Sequence, residues 1–255
     1  MTPAQWKAFT DFRDRFKAKC REWDERFSDS LKPLQKAAAQ KDTPDYPLET
    51  ALVYNRAFDD ITSADTIRYF VIGDNPGKDE QLAKNNRYLV GQSGKIAAGF
   101  FARNPEFQTD FRKNVLILNK TPVHTAKTAH LKAVAKAGGV QIQKLIQDSQ
   151  AWMAEETARL HAALCATADS ENPAPELWLV GYAELKEKGL FLHYRDVLRA
   201  SYTDQVWQHV YVFQHFSMNR FLIDLKSFRK TRPELSLQEA VHALGRQHRI
   251  EIFGA

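Results

Sequence analysis

Cysteine is scarce in this sequence, because the 255 residues contain only Cys20 and Cys165. A zinc or iron–sulfur site with four thiolate ligands therefore cannot be built within one chain. The two cysteines are far apart and lack Cys-x-x-Cys spacing, so we expect two free and mostly buried thiols. His124, His130 and His209 also lack the spacing of metal ligands, and we predict no metal site.

Long apolar runs are absent as well, and none approaches the length needed to cross a bilayer. The N-terminal residues lack the charged-then-apolar order of a secretion signal, so we expect a cytoplasmic protein without membrane contact. Hydrophobic residues make up 44% and charged residues 26%, as is ordinary for a globular protein. The net charge of +5 suits a polyanionic partner but does not by itself establish one.

Three short hydrophobic segments each end on polar, chemically capable side chains. Residues 67–73 run into Asp-Asn-Pro-Gly, residues 114–119 end in an amide, and residues 209–215 end in a histidine followed by Phe-Ser. A fourth predicted strand covers residues 176–182. Because open α/β sheets bind ligands at the carboxyl ends of their strands, this repetition is the main functional signal in the sequence.

Helical patterns separate these strands. Residues 4–28 carry aromatic side chains three or four apart, which indicates an amphipathic helix whose stripe packs in a core rather than stacks on bases. Further helices are predicted at residues 95–102, at 141–165, after 183, from an N-cap at Ser217, and from a capping box of Ser236 and Glu239 to about residue 245. Residues 121–128 are predicted to be a loop.

The alternation of strands and helices predicts an α/β fold. We expect a three-layer sandwich with a central, mainly parallel four-stranded sheet and a helical N-terminal extension. The whole chain, residues 1–255, is predicted to be a single domain, with the extension in residues 1–63 and the core in about residues 65–228.

The turn after the first strand offers two kinds of chemistry. Asp74 and Asn75 can orient a water molecule for attack and stabilise nearby positive charge, although both residue types also simply suit turns. Gly77 and Ser93 can bring backbone N–H groups close to a phosphate, or be an ordinary turn glycine and helix cap. The spacing of a Walker phosphate loop is absent.

The other two strand ends carry Asn119 and His215. Asn119 can donate and accept hydrogen bonds at once, which is what reading the edge of a nucleobase requires, or it can satisfy its own loop. A lone histidine is more often structural than catalytic, but the strand-end position of His215 makes the two alternatives about equal.

Taken together, these segments resemble the uracil-DNA glycosylase superfamily. Residues 73–80, Gly-Asp-Asn-Pro-Gly-Lys-Asp-Glu, and residues 87–94, Arg-Tyr-Leu-Val-Gly-Gln-Ser-Gly, are similar to its first motif. These two segments resemble a mixture of the motifs of the iron–sulfur and mismatch-specific branches, but the cysteines that bind the iron–sulfur cluster are missing. Asn119 is similar to the base-reading asparagine of the family, and residues 215–217, His-Phe-Ser, are similar to its His-Pro-Ser motif. The resemblance covers about residues 65–228.

The resemblance implies a DNA glycosylase that removes a flipped base, uracil by default, without a cofactor. Asn75 would position the attacking water, with Asp74 in reserve, and His215 would stabilise the departing base. Tyr88 or Leu89 would stack on the extruded base.

The resemblance also implies a set of DNA contacts around the site. Met218 or Arg220 would fill the gap left in the base stack, and Lys78 and Arg220 would bind phosphates. Further contacts to the DNA backbone would come from Gly77, Ser93 and Ser217. The partner would be single- or double-stranded DNA, and we expect a monomer.

Two other functions are also compatible with the sequence. Phe216 stands where the family has a proline, which is compatible with a nucleic-acid-binding module that has lost its chemistry. The phosphate-compatible turn would also suit an enzyme acting on free nucleosides or nucleotides.

Overall fold

A computed structural model describes residues 1–254 of the chain. Eight helices and four strands alternate along it. The strands are β1 (Tyr69–Gly73), β2 (Val115–Asn119), β3 (Glu176–Val180) and β4 (Val210–Phe213). The helices are α1 (Pro3–Ala39), α2 (Gln92–Arg103), α3 (His130–Ala137), α4 (Gly139–Ala166), α5 (Leu192–Ala200), α6 (Asp204–Trp207), α7 (Arg220–Thr231) and α8 (Leu237–Phe253).

The four strands form one parallel sheet in the order β2-β1-β3-β4. Gly73 and Asn119 are partners in the register of β1 and β2, so these two strands end side by side. After β2 the chain crosses to the other side of β1 to form β3. This reversal of strand order creates a crevice at the carboxyl edge, between the ends of β1 and β3, where open α/β sheets bind ligands.

Alternate strand side chains pack against two separate helical layers. On β1, Tyr69 contacts Phe101 of α2, with ring centroids 5.3 Å apart, whereas Phe70 contacts His161 of α4 at 5.1 Å. Because successive side chains of a strand point to opposite faces, α2 and α4 lie on opposite sides of the sheet. The sandwich of three layers predicted from the sequence is therefore confirmed, and its sheet is wholly parallel.

The N-terminal helix packs on the α4 side of the sheet. Phe9, Phe12 and Phe16 are fully buried, and Phe16 stacks on Trp152 of α4. The aromatic stripe is thus core packing, as predicted. The helix begins with a capping box of Thr2 and Gln5 and extends to Ala39, about three turns beyond the predicted end.

Several predicted helix boundaries are corrected by the structure. The helix expected from Ser217 begins at Arg220, because Met218 and Asn219 have left-handed backbone angles of φ 54° and 56°. Ser217 caps no helix. After β3 there is only a short 3₁₀ turn at Tyr182–Leu185 before α5, and α3 was not predicted. The capping box of Ser236 and Glu239 is confirmed, but α8 continues to Phe253.

Candidate functional site

A cavity of about 470 Å³ opens at the carboxyl edge of the sheet, over the crevice between β1 and β3. Its walls come from the turn after β1, the ends of β2 and β3, and the segment that follows β4. Most of the residues predicted from the sequence lie in these walls: Asp74, Asn75, Gly77, Leu89, Ser93, Asn119, His215, Ser217, Met218 and Arg220. Side chains from segments more than a hundred residues apart thus share one cavity.

Tyr88 and Lys78, by contrast, do not line the cavity. Tyr88 is buried beneath the surface, and its hydroxyl donates a hydrogen bond to Val53 O, so the prediction that its ring stacks on a ligand is wrong. The neighbouring residue Leu89, rather than Tyr88, lies in the cavity wall. Lys78 is exposed on the surface beside Gly77, outside the cavity lining, and does not contribute to the walls.

Asn75 is held by its amide nitrogen. Nδ2 donates to Thr125 Oγ1 at 2.8 Å and to Val123 O at 3.2 Å, in the loop that follows β2. Both amide hydrogens are then used, and Oδ1 has no protein donor within residues 1–254. An amide fixed in this way offers the cavity one oriented acceptor.

Asn119 closes β2 at the floor of the cavity and is only 2% exposed. Its Nδ2 is shielded from solvent and has no hydrogen-bond partner among the described residues. Leaving a buried donor unpaired costs about 1–3 kcal/mol, so such groups call for an explanation. Because Asn119 lines the cavity, rotation of its amide group would turn this nitrogen toward an acceptor on a bound ligand.

His215 is fixed in one tautomer by the residues that follow it. Its Nδ1 lies 3.0 Å from the backbone nitrogen of Ser217 and 2.8 Å from Ser217 Oγ. A backbone N–H can only donate, so Nδ1 is the acceptor and the neutral ring carries its proton on Nε2. Loss of hydration lowers the pKa of His215 below its usual 6.5; Asp74 opposes this shift, whereas Lys120 and Arg220 add to it. The imidazole is therefore a neutral donor at neutral pH.

Asp74 forms a buried ion pair with Lys120, which no pattern in the sequence indicated. Lys120 Nζ lies 2.6 Å from Asp74 Oδ1 and 2.6 Å from Val180 O, with Gly73 O at 3.3 Å. Three acceptors match the three protons of the ammonium group, although its burial still lowers the pKa of Lys120. Asp74 is therefore committed to Lys120 through one oxygen, whereas Asn75 keeps its oxygen free.

Close packing around this pair is preserved by a glycine. Gly181, directly after β3, has a left-handed φ of 96°, and a Cβ at that position would overlap Asp74 Oδ1. The absence of a side chain at Gly181 therefore allows the end of β3 to lie directly against the Asp74 carboxylate.

Glu80 connects the turn after β1 to the segment that carries Leu89. Its Oε2 accepts from Gly77 N at 3.2 Å and its Oε1 from Leu89 N at 2.9 Å. Burial raises the pKa of Glu80 to about 7, although both backbone hydrogen bonds favour the charged form. Leu89 itself has a left-handed φ of 51°, and a side chain at Gly94 would overlap its carbonyl oxygen. Leu89 is thus held rigidly in the wall.

The mouth of the cavity has an apolar and a cationic group. Met218 is 69% exposed, which is unusual for a large apolar side chain, and it projects from the left-handed turn before α7. Arg220 begins α7 at the same rim and makes no ion pair within the described residues.

Searches with protein-family models, against curated proteins and against solved structures each found no match to the chain. The structure contains, within residues 1–254, no helix long and apolar enough to cross a membrane. The same residues include no group of three or more His, Cys, Asp or Glu side chains arranged to hold a metal ion.

Proposed function

We propose that this chain is a DNA glycosylase that hydrolyses the N-glycosidic bond of a base extruded into the cavity. The observation that carries the proposal is that Asn75, Asn119 and His215, from three strand ends, line one cavity of about 470 Å³. This volume lies in the range of about 300–1,000 Å³ that is usual for small-ligand sites. The motif resemblance to uracil-DNA glycosylases, in the same chain order, supports the same function.

Base recognition would rest on Asn119 and Leu89. The unpaired Nδ2 of Asn119 would donate to a carbonyl oxygen on the base edge, which makes uracil the first substrate to test. Leu89 would pack against the base in place of an aromatic ring. Extrusion of the base costs a few kcal/mol, and a damaged or mispaired base costs least.

Bond cleavage would rest on His215 and Asn75. As the glycosidic bond breaks, its electron pair goes to the base, and Nε2–H of His215 would stabilise the resulting negative charge. The free Oδ1 of Asn75 would accept a hydrogen bond from a water molecule and direct its oxygen to the sugar carbon. The proton that this water releases neutralises the departing base. The negative charge of Asp74 would stabilise the positive charge that develops on the sugar. Its ion pair with Lys120 keeps the net charge of the cavity floor near zero.

Contacts to DNA outside the cavity would come from its mouth. Met218 is exposed at the rim and would fill the gap left in the base stack. Arg220 would bind a phosphate, and the backbone N–H of Ser93 in the first turn of α2 would bind another, whereas the Gly77 N–H is already bonded to Glu80.

The experiment is a base-release assay with oligonucleotides that contain uracil, hypoxanthine, xanthine or mismatched thymine. At least one should yield abasic sites. Asn75→Ala and His215→Ala should each slow release about a hundredfold or more. His193→Ala, at an exposed position on α5, is the matched control and should leave the rate unchanged.

Three results would contradict the proposal. Release that is unaffected by both site variants would show that the site is elsewhere. Salt-sensitive DNA binding with no release from any substrate would favour a binding module instead. Turnover of free nucleotides together with indifference to DNA would favour an enzyme of small nucleotides.

A further inference from the structure

A second cavity, of about 660 Å³, forms a groove between the C-terminal half of α2 and the helix α7. Its lining includes four cationic side chains and no carboxylate: Arg103, Lys226, Arg229 and Lys230. We call this set the cationic groove. None of the four makes an ion pair with another of the described residues, whereas many surface lysines and arginines of this protein do. Four unpaired like charges around one depression attract a polyanion.

The cationic groove is joined to the candidate site by two helices. α2 starts at the candidate site, with Ser93 in its cavity wall, and Arg103 lies near the far end of that helix. α7 begins with Arg220 at the cavity mouth and continues to Lys226, Arg229 and Lys230. At about 1.5 Å per residue, the groove cations lie about 9–15 Å beyond the mouth along these helices.

A short stretch of a nucleic acid strand that runs along these helices would span this separation. Phosphates of one strand follow each other at about 3.4 Å along a B-form duplex, so 9–15 Å corresponds to about three or four nucleotides. Phe100 and Leu225, which are almost completely buried, form an apolar floor beneath the charges. The only uncharged polar side chain in the lining is Asn104, and its Nδ2 already donates to Phe100 O at 2.6 Å. The groove therefore offers mainly charge at its rim, which suits a backbone rather than a sequence.

We propose that the cationic groove binds the phosphate backbone of the DNA strand whose base occupies the cavity, about three or four nucleotides from that base. The assignment rests on the proposed function, because it takes its direction from the position of the flipped base. It adds a second contact surface, about two to three helical turns from the cavity mouth, that holds the strand in place while the base is released.

The first test measures binding separately from chemistry. The affinity for an undamaged duplex is followed by fluorescence anisotropy as the salt concentration rises from about 50 to 200 mM. The variant Lys226→Gln/Arg229→Gln/Lys230→Gln should reduce the slope of log affinity against log salt by about two to three. The matched control is Lys36→Gln/Lys132→Gln/Lys136→Gln, three exposed and unpaired lysines of α1 and α3 in the opposite layer, and its slope should stay close to that of the unmodified protein.

The second test locates the contact on the strand. Single phosphates on either side of a uracil are replaced by neutral methylphosphonates. Replacement about three or four nucleotides away, on one side, should weaken binding of the unmodified protein by several-fold and leave the groove variant unaffected. Equal melting temperatures of the variants and the unmodified protein show that the surface substitutions have not altered the fold.

The outcomes separate this proposal from the glycosylase proposal. An unchanged salt slope in the groove variant, or an equal loss in the control, overturns the groove assignment even if base release is observed. DNA binding that depends on the groove, without release of any base, supports the groove and overturns the glycosylase. A protein that binds polyglutamate and fails to bind DNA overturns the groove assignment in favour of an acidic protein partner.

Discussion

Lys120 Nζ lies 2.6 Å from Asp74 Oδ1 beneath the candidate site, and the lysine side chain is completely buried. The ammonium group also contacts the carbonyl oxygens of Gly73 and Val180, at the ends of β1 and β3. One buried cation therefore ties together the carboxyl ends of the two strands that border the crevice. This arrangement positions the turn that carries Asp74 and Asn75. The ion pair of Asp74 and Lys120 therefore helps to hold the candidate site in shape.

The first prediction concerns the removal of this cation. Lys120→Met keeps the length of the side chain but leaves the Asp74 carboxylate buried without its partner, and should destabilise the protein by about 3–5 kcal/mol in urea unfolding. Lys144→Met is the matched control, because Lys144 and Asp148 form an ion pair in which both side chains are largely exposed. That variant should cost at most about 1 kcal/mol.

A double variant separates the charge from the packing. Asp74→Asn combined with Lys120→Met removes both charges and should recover part of the lost stability. If Lys120→Met alone proved as mild as Lys144→Met, the buried pair would not be the element that fixes the turn.

The sequence predicted the parts of the site that depend on local pattern. A hydrophobic run that ends in Asn or in Gly-Asp-Asn indicates a strand followed by a polar turn, and parallel strands bring their carboxyl ends to one edge. The position of Asn119 beside Gly73 follows from that rule alone. The four strands and the alternation of layers were predictable for the same reason.

Interactions between distant segments were not predictable in this way. Lys120 follows Asn119 directly, but nothing near it indicates a carboxylate 46 residues earlier as its partner. Tyr88 and Leu89 are neighbours, and only the left-handed backbone at Leu89 determines which of the two faces the cavity. Ser217 has the sequence of a helix cap, yet its polar groups go to His215, because the following two residues adopt left-handed conformations.

The second prediction concerns Glu80 and the dependence of stability on pH. Burial raises its pKa in the folded protein to about 7, from an ordinary 4.5. The folded state therefore binds the proton more tightly than the unfolded state, so this group's contribution to stability is full below about pH 4.5 and is lost as the pH rises through about 7. The shift corresponds to about 3 kcal/mol.

Glu80→Gln removes the titration at this position. Unfolding free energies of the variant and the unmodified protein, measured between about pH 4.5 and 8, should therefore differ by an amount that changes with pH across this window. The variant also replaces one acceptor by a donor facing Gly77 N or Leu89 N, and should be less stable than the unmodified protein at the acidic end. A difference that is constant with pH would show that Glu80 does not titrate in this range.

The third prediction separates the ring of His215 from the group that orients it. His215→Ala should abolish the charge stabilisation and slow base release about a hundredfold or more. Ser217→Ala removes only the Oγ contact and keeps the backbone N–H on Nδ1, so the rate should fall by less than about tenfold. Equal losses in the two variants would show that the imidazole acts only when the serine hydroxyl orients it, which contradicts the separation proposed here.

The pH profile of the same reaction tests the charge state of the ring. Because burial lowers the pKa of His215 below its usual 6.5, the imidazole takes up a proton only at a lower pH than an exposed histidine. Any inflection of the rate from His215 should therefore lie below pH 6.5, where protonation of Nδ1 breaks the bond from the Ser217 N–H. An inflection at 6.5 that disappears in His215→Ala would contradict this assignment.

The fourth prediction concerns the unpaired amide of Asn119. Asn119→Leu keeps the branched shape of the side chain and removes a buried donor that has no partner in the protein. Replacing such a group by an apolar isostere should leave the unfolding free energy within about 1 kcal/mol of the original, or raise it, because no native hydrogen bond is lost.

Asn55 supplies the matched control for this substitution. It is equally buried, but its Nδ2 donates to Ile117 O at 2.9 Å and its Oδ1 accepts from Ala57 N and Tyr88 N. Asn55→Leu leaves these three groups unpaired and should cost at least about 2 kcal/mol. Base release should respond in the opposite way: Asn119→Leu should slow it at least about a hundredfold, because the proposed donor to the base is lost. If Asn119→Leu instead destabilised the protein as much as Asn55→Leu, the amide would be a structural group with a partner in the folded protein, and its role in reading the base would be untenable.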